Sequence, residues 1–210
     1  MLQVALTVVF AVLAVVLAEW LWLKEHIRSE ANRKLIHVAH GVLICVWPFF
    51  VSYKIVALLE VFFIVLVLVD KKLHIIHGAS AVARITWGEF LYPVGIIAIA
   101  LMEPNKWVFV VAVLHLALAD AAAALIGTRY GKGNTYHIFG QKKSAAGSFG
   151  FFVVSVLLVL FAFWMIPDES IRANLSVLFL LPLATTFVEN IGTFGIDNLL
   201  IPVTVVLLLS

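Results

Sequence analysis

The stretch Asp120-Ala-Ala-Ala-Ala-Leu-Ile-Gly127-Thr-Arg129-Tyr-Gly131-Lys132-Gly133, continued by Lys142-Lys143-Ser144-Ala-Ala146-Gly147-Ser148, joins two apolar runs of membrane length. A carboxylate lies inside the first run, and lysines with a hydroxyl open the second. Ionisable groups are costly in hydrocarbon, so this placement points to a functional site. Asp120, Ala123, Ala124 and Gly127 share one helical face, which allows a second helix to approach the carboxylate closely. The alternative is a buried acid paired with Arg129 or His115, the latter pointing to a different face of the same helix.

The rest of the chain has the same character. Of 210 residues, 64% are hydrophobic and 12% charged, with a mean hydropathy of +1.13. A soluble domain of this size cannot hide so much apolar surface, so an all-α, polytopic transmembrane bundle is expected, in one domain over residues 1–210. Apolar runs at 2–23, 37–51, 55–69, 90–102, 107–126, 149–165, 174–188 and 199–209 give seven or eight spans. Several are shorter than the roughly 20 residues of a square crossing. The apolar N-terminus lacks a leading basic region and a cleavage site, and reads as a retained span. The single cysteine, Cys45, excludes an internal disulfide and reads as core packing.

Charge sets the orientation. With the loop 24–36 inside, the inner loops hold Lys24, Arg28, Arg33, Lys34, Lys71, Lys72, Arg84, Arg129, Lys132, Lys142 and Lys143. The outer loops hold only Lys54, Lys106 and Arg172. This asymmetry places the N-terminus outside and the unusual polar motifs on the cytoplasmic face of the inner membrane.

The loop from Gly127 to Gly147 carries glycines at 127, 131, 133, 140 and 147 with the bases Arg129, Lys132, Lys142 and Lys143. Glycines let backbone N–H groups reach phosphate oxygens, and lysines add mobile positive charge. Ser144 is a candidate cap for the following helix, whose N-terminal amides favour an anion. An ordinary basic loop on anionic lipid is the bland reading. No P-loop or protein-kinase signature is present.

Arg33, Lys34 and His37 open the second span, with Arg33 and His37 on one face, as phosphate ligands or as headgroup anchors. His40 reads as a hydrogen-bonded packing group. Glu189-Asn190-Ile-Gly192-Thr-Phe-Gly195-Ile-Asp197-Asn198 reads as a broken-helix polar site whose oxygens suit Mg²⁺, with capping by Asp197 or Asn198 as the plainer role. Glu89 is a lesser candidate, and Glu60 a polar contact between helices.

Together these stretches resemble the membrane prenol and polyprenol kinases, the family of phytol, farnesol and dolichol kinases. The matching residues are Arg33-Lys34-Leu-Ile-His37…Gly41 with Trp47-Pro48, Gly88…Tyr92-Pro93, and Asp120…Gly127-x-Arg129-x-Gly131-Lys132. Lys143-Ser144-x-Ala146-Gly147-Ser148 and Val188-Glu189…Asp197-Asn198-x-x-x-Pro202 complete the set, leaving only the helix at 2–23 unmatched. Ala146, where many relatives carry Glu, and the short length resemble the phytol kinase branch. Ile196 before Asp197 leaves one carboxylate fewer than relatives often show.

The resemblance implies a kinase that phosphorylates a long-chain isoprenoid alcohol with CTP or another nucleoside triphosphate and Mg²⁺. Asp120, Asp197 and Asn198 would hold the metal, and Asp120, Glu189 and Lys143 would serve the chemistry. Arg33, Lys34, His37, Gly127, Arg129, Gly131, Lys132, Lys142, Ser144, Gly147 and Ser148 would bind nucleotide phosphates. A lipid bilayer is the expected partner and nucleic acid is not, while homodimerisation stays open. The alternatives are a phosphatidate cytidylyltransferase-like enzyme and a small non-enzymatic transporter.

Overall fold

The computed structural model describes residues 9, 30–73, 87–166 and 175–210. The expected first span at 2–23, the bases Lys24, Arg28 and Arg84, and the side chains of Arg33 and Lys71 lie outside what it describes, as does the loop 167–174.

The described chain is helical. Helix α1 (Glu30–Val46) leads through a short 3-10 turn (Trp47–Phe49) to α2 (Tyr53–Leu73), and α3 (Gly88–Leu101) follows. Helix α4 (Lys106–Leu114), a π-turn (His115–Ala119) and α5 (Asp120–Tyr130) run on as a single rod. Strands β1 (Thr135–Ile138) and β2 (Gln141–Ser144) form a hairpin, and α6 (Ala145–Met165), α7 (Val177–Ile191) and α8 (Asp197–Leu209) complete the bundle. Helices coincide with seven of the eight apolar runs, displaced by a few residues at their ends. The hairpin is a departure from a purely helical reading: the glycine-rich loop pairs Thr135 with Ser144 and Tyr136 with Lys143, and turns at Phe139-Gly140. Both turn residues have positive φ (46° and 77°), which the glycine takes without a Cβ penalty.

Two segments, Lys106–Gly133 with 28 residues and Ala145–Met165 with 21, are long and apolar enough to cross a membrane. They form the centre. Val108, Phe109, Val111 and Val113 of α4 are buried against Ile96 and Ile99 of α3, Val159 and Ala162 of α6, and Val205 of α8. The outer faces of the bundle are apolar as well: Leu58 and Phe62 on α2, Leu157 on α6, and Phe179 and Leu183 on α7 are exposed.

Small residues decide how closely the rods pack. A Cβ on Gly147 would sit 2.7 Å from the Ala123 carbonyl oxygen and 3.3 Å from Gly127 Cα, so α5 and α6 touch backbone to backbone. This is the close approach that the face Asp120, Ala123, Ala124, Gly127 predicts. At the same end of the bundle a Cβ on Gly95 would overlap the Asn198 carbonyl, which fixes α8 against α3.

Candidate active site

Helix ends converge on a cavity of about 480 Å³ at one end of the bundle. Lys34 enters from the first turns of α1, Asp120 from the head of α5, and Glu189 from the last turn of α7. Asp197 and Asn198 open α8, and the hairpin contributes Lys142, Lys143 and Ser144. Gly127, Gly131, Lys132, Gly147 and Ser148 also line the cavity. Residues up to 164 positions apart in sequence thus face one space, from Lys34 to Asn198.

Asp120 is buried and forms an ion pair with the buried Lys34. The two partners considered from the sequence are engaged elsewhere. The Arg129 guanidinium lies 5.4 Å from the Tyr130 ring centroid. His115 bonds through Nδ1 to the Val111 carbonyl (2.8 Å) and through Nε2 to Ser155 Oγ (2.9 Å). Asp120 directly follows the π-turn, a local widening of the helix that often accompanies functional sites.

Lys143 forms the second pair, donating from Nζ to Glu189 Oε1 at 2.6 Å and to the Glu189 carbonyl oxygen at 2.7 Å. Lys132 and Lys142 are exposed at the cavity and make no ion pair among the described residues, which leaves them available for an anion. Ser144 caps α6, its Oγ accepting from the Gly147 N–H at 3.1 Å, as the sequence suggests. The N-termini of α6 and α8 both open on the cavity, and their partial positive ends favour negative charge there.

Electrostatics inside the cavity is unbalanced around Asp197. This residue and Glu189 lie between the apolar runs 174–188 and 199–209. Burial, and then the Asp120 charge, push the Asp197 carboxyl up to about 6. Burial likewise raises Glu189, against the opposing pull of Lys143. Asn198 Oδ1 and Glu189 Oε2 are buried with no hydrogen-bond partner among the described residues. A desolvated carboxylate close to a second one, with an amide oxygen lacking a hydrogen bond among the described residues, fits a hard cation that takes oxygen ligands. No three His, Cys, Asp or Glu side chains cluster as a protein-only cage among the described residues.

Two expected ligands stand apart from the cavity lining: His37 packs against Tyr92 with ring centroids 4.7 Å apart, and Arg129 lies on Tyr130. The Arg33 side chain lies outside the described residues. Glu89, on the first turn of α3, does not line the cavity either. Conversely, Tyr136, which the sequence does not single out, bonds to the cavity residue Ser148. Its hydroxyl lies 2.6 Å from Ser148 Oγ and donates to Asn190 Oδ1, while Ser148 Oγ donates to the same oxygen at 3.0 Å. Asn190 therefore ties the hairpin and α6 to the end of α7. The signal for Tyr136 was the strand-like Thr135-Tyr136-His137-Ile138 ahead of Phe139-Gly140.

A phytol kinase from Synechocystis sp. (strain ATCC 27184 / PCC 6803 / Kazusa) is 25% identical over 182 residues, covering 83% of this chain and 76% of that protein. The chain is similar to that phytol kinase over most of its length. No family model matches it, and no solved structure does. The shared length covers most of both chains, so the similarity is not confined to a single motif.

Proposed function

We propose that this protein transfers the γ-phosphoryl group of a nucleoside triphosphate, CTP in the first instance, to the hydroxyl of a long-chain isoprenoid alcohol such as phytol, geranylgeraniol or a polyprenol. The observation that carries the reading is the convergence of Lys34, Asp120, Lys143, Glu189, Asp197 and Asn198 on one cavity. Similarity to a phytol kinase supports the acceptor class.

Phosphoryl transfer depends on positioning and charge neutralisation more than on covalent chemistry. Lys132 and Lys142 bind phosphate oxygens from the open side, and Lys143 neutralises charge that develops on the transferred group. The N-terminal amides of α6 take further phosphate oxygens at Gly147 and Ser148. Asp120, Asp197 and Asn198 would hold Mg²⁺, which would supply charge neutralisation at the triphosphate. The alcohol oxygen attacks the γ-phosphorus, its proton passes to a carboxylate, and the nucleoside diphosphate leaves. Glu189 suits that proton acceptor, with one oxygen held by Lys143 and the other without a hydrogen bond.

The apolar outer faces and the two long apolar helices support an integral membrane protein of seven or eight spans. The excess of Lys and Arg in alternate loops supports a cytoplasmic site and an outer N-terminus. The test uses purified protein, an alcohol and CTP labelled at either the γ or the α phosphorus. Label from the γ position alone appears in the lipid product. Label from the α position in the lipid would instead identify a cytidylyl transfer and overturn the kinase reading.

A further inference from the structure

A second set of buried polar groups lies outside the cavity and is not used by the chemistry above. Glu60 sits in the middle of α2, a helix otherwise apolar from Ile55 to Val69, and is fully buried. Its Oε1 lies 3.4 Å from His40 Nε2 on α1, and neither carboxylate oxygen has a hydrogen bond among the described residues. The His40 ring is stacked between Phe63 of α2 (centroids 4.2 Å apart) and Tyr92 of α3 (5.5 Å). The Tyr92 hydroxyl donates to the His37 carbonyl oxygen at 2.9 Å, and its ring packs on the His37 imidazole. One turn before His37 on the same helix is Lys34, the partner of Asp120.

These contacts form one mechanical chain, Glu60–His40–Tyr92–His37, that ends one turn from the cavity. Its members come from α1, α2 and α3, and the site itself uses only the last turn of that path. Gly41 shows how tight the seat is: a Cβ there would meet Ala117 Cβ at 2.6 Å and Tyr92 Oη at 2.7 Å. Helix α1 therefore lies flush on the π-turn that precedes Asp120, and has no packing slack to absorb a shift. A buried carboxylate with poor hydrogen bonding is destabilising by itself, so its retention inside an apolar helix calls for a role.

We infer that Glu60 is a positioning residue: through His40 and Tyr92 it sets the register of α1 and thereby keeps Lys34 on Asp120. The consequence for catalysis rests on the kinase reading, whereas the register itself does not. The experiment separates the two. Glu60→Leu, Glu60→Gln and Tyr92→Phe are made in the full chain in detergent. Each is treated with an amine-acylating reagent, and modification of Lys34 and Lys143 is followed by mass spectrometry.

In the parent protein both lysines are protected by their ion pairs. Glu60→Leu and Tyr92→Phe expose Lys34 to acylation and leave Lys143, held by Glu189 on α7, as protected as before. Glu60→Gln, which retains a polar contact with His40, restores the protection of Lys34. Where kinase turnover is measurable, Glu60→Leu lowers kcat by up to about a hundredfold, the loss that a misplacement of about 1 Å in a reacting constellation can cause, with KM for the triphosphate little changed. Equal loss of protection at Lys34 and Lys143 would show general loosening of the fold and overturn the inference. So would unchanged Lys34 protection in a folded Glu60→Leu protein. Absence of kinase turnover in the parent, with the labelling pattern intact, would count against the kinase reading alone.

Discussion

Lys143 Nζ is bonded to Glu189 twice, at 2.6 Å to the side-chain carboxylate and at 2.7 Å to the main-chain carbonyl. One ammonium group thus neutralises the buried acid and also caps a carbonyl in the last turn of α7, where helix backbone acceptors lack partners. The contact ties the hairpin strand β2 to α7 at the cavity. Lys143 is therefore both part of the site and part of what holds its wall together.

Replacing Lys143 should act on both properties. Lys143→Ala leaves the Glu189 carboxylate buried and unpaired, a loss of roughly 1–3 kcal/mol in stability. Glu189→Gln, which retains a polar acceptor for Lys143, should cost less. Thermal unfolding of the two variants in the same detergent checks the order, and turnover of Lys143→Ala should fall by at least about a hundredfold.

The crossing of α5 and α6 predicts a sharp contrast between two glycines of the same loop. Gly147→Ala drives a methyl group to 2.7 Å from the Ala123 carbonyl oxygen, whereas at Gly133 nothing lies within 4 Å of the added carbon. Gly147→Ala should destabilise by about 1–3 kcal/mol, the usual range for overpacking, and Gly133→Ala should unfold like the parent. Equal midpoints for the two would contradict the backbone-to-backbone contact.

How much of this was legible in the sequence depends on the range of the interaction. The Ser144 cap, the small-residue face from Asp120 to Gly127 and most helix bounds depend on neighbours within a few residues, and pattern reveals those. The partner of Asp120 is 86 positions away, at Lys34, and no periodicity reports such a contact. Closeness along the chain offered His115 and Arg129 instead, because only near neighbours are visible along one helix. The hairpin was hidden by its glycines and lysines, which read as a flexible basic loop although Thr135-Tyr136-His137-Ile138 alternates like a strand. Glu60 was legible as a contact between helices, but the identity of His40 as its partner required the fold.

A chain of buried hydroxyls gives a further prediction. His115 Nε2, Ser155 Oγ and Thr185 Oγ1 are linked at 2.9 and 3.0 Å, and tie the rod of Asp120 to α6 and α7. Ser155→Ala removes the central member and leaves a ring nitrogen of His115 without its partner, at a cost of about 1–3 kcal/mol. Ser155→Thr retains the hydroxyl and should recover part of the loss. Chemical denaturation of both variants tests this.

The Asp197 carboxyl, raised to about 6 by burial and by Asp120, predicts the pH dependence of cation binding. A divalent cation must displace the proton from this group, so affinity rises with pH up to about 6 and levels off above it. Below that value it falls by close to tenfold per pH unit. Mn²⁺ binding followed by electron paramagnetic resonance between pH 5 and 7.5 measures the profile, and Asp197→Asn should both weaken and flatten it.

The central claim is that the acids and bases gathered around the cavity carry out phosphoryl transfer to a lipid alcohol. Its most direct measurement incubates the purified protein and its Asp120→Asn variant with a panel of isoprenoid alcohols and each of CTP, UTP and ATP, and identifies products by mass spectrometry. A monophosphate of at least one long-chain alcohol is expected with the parent protein, reduced by about a hundredfold or more in the variant. Full activity in Asp120→Asn, or no alcohol monophosphate with any triphosphate, would contradict it.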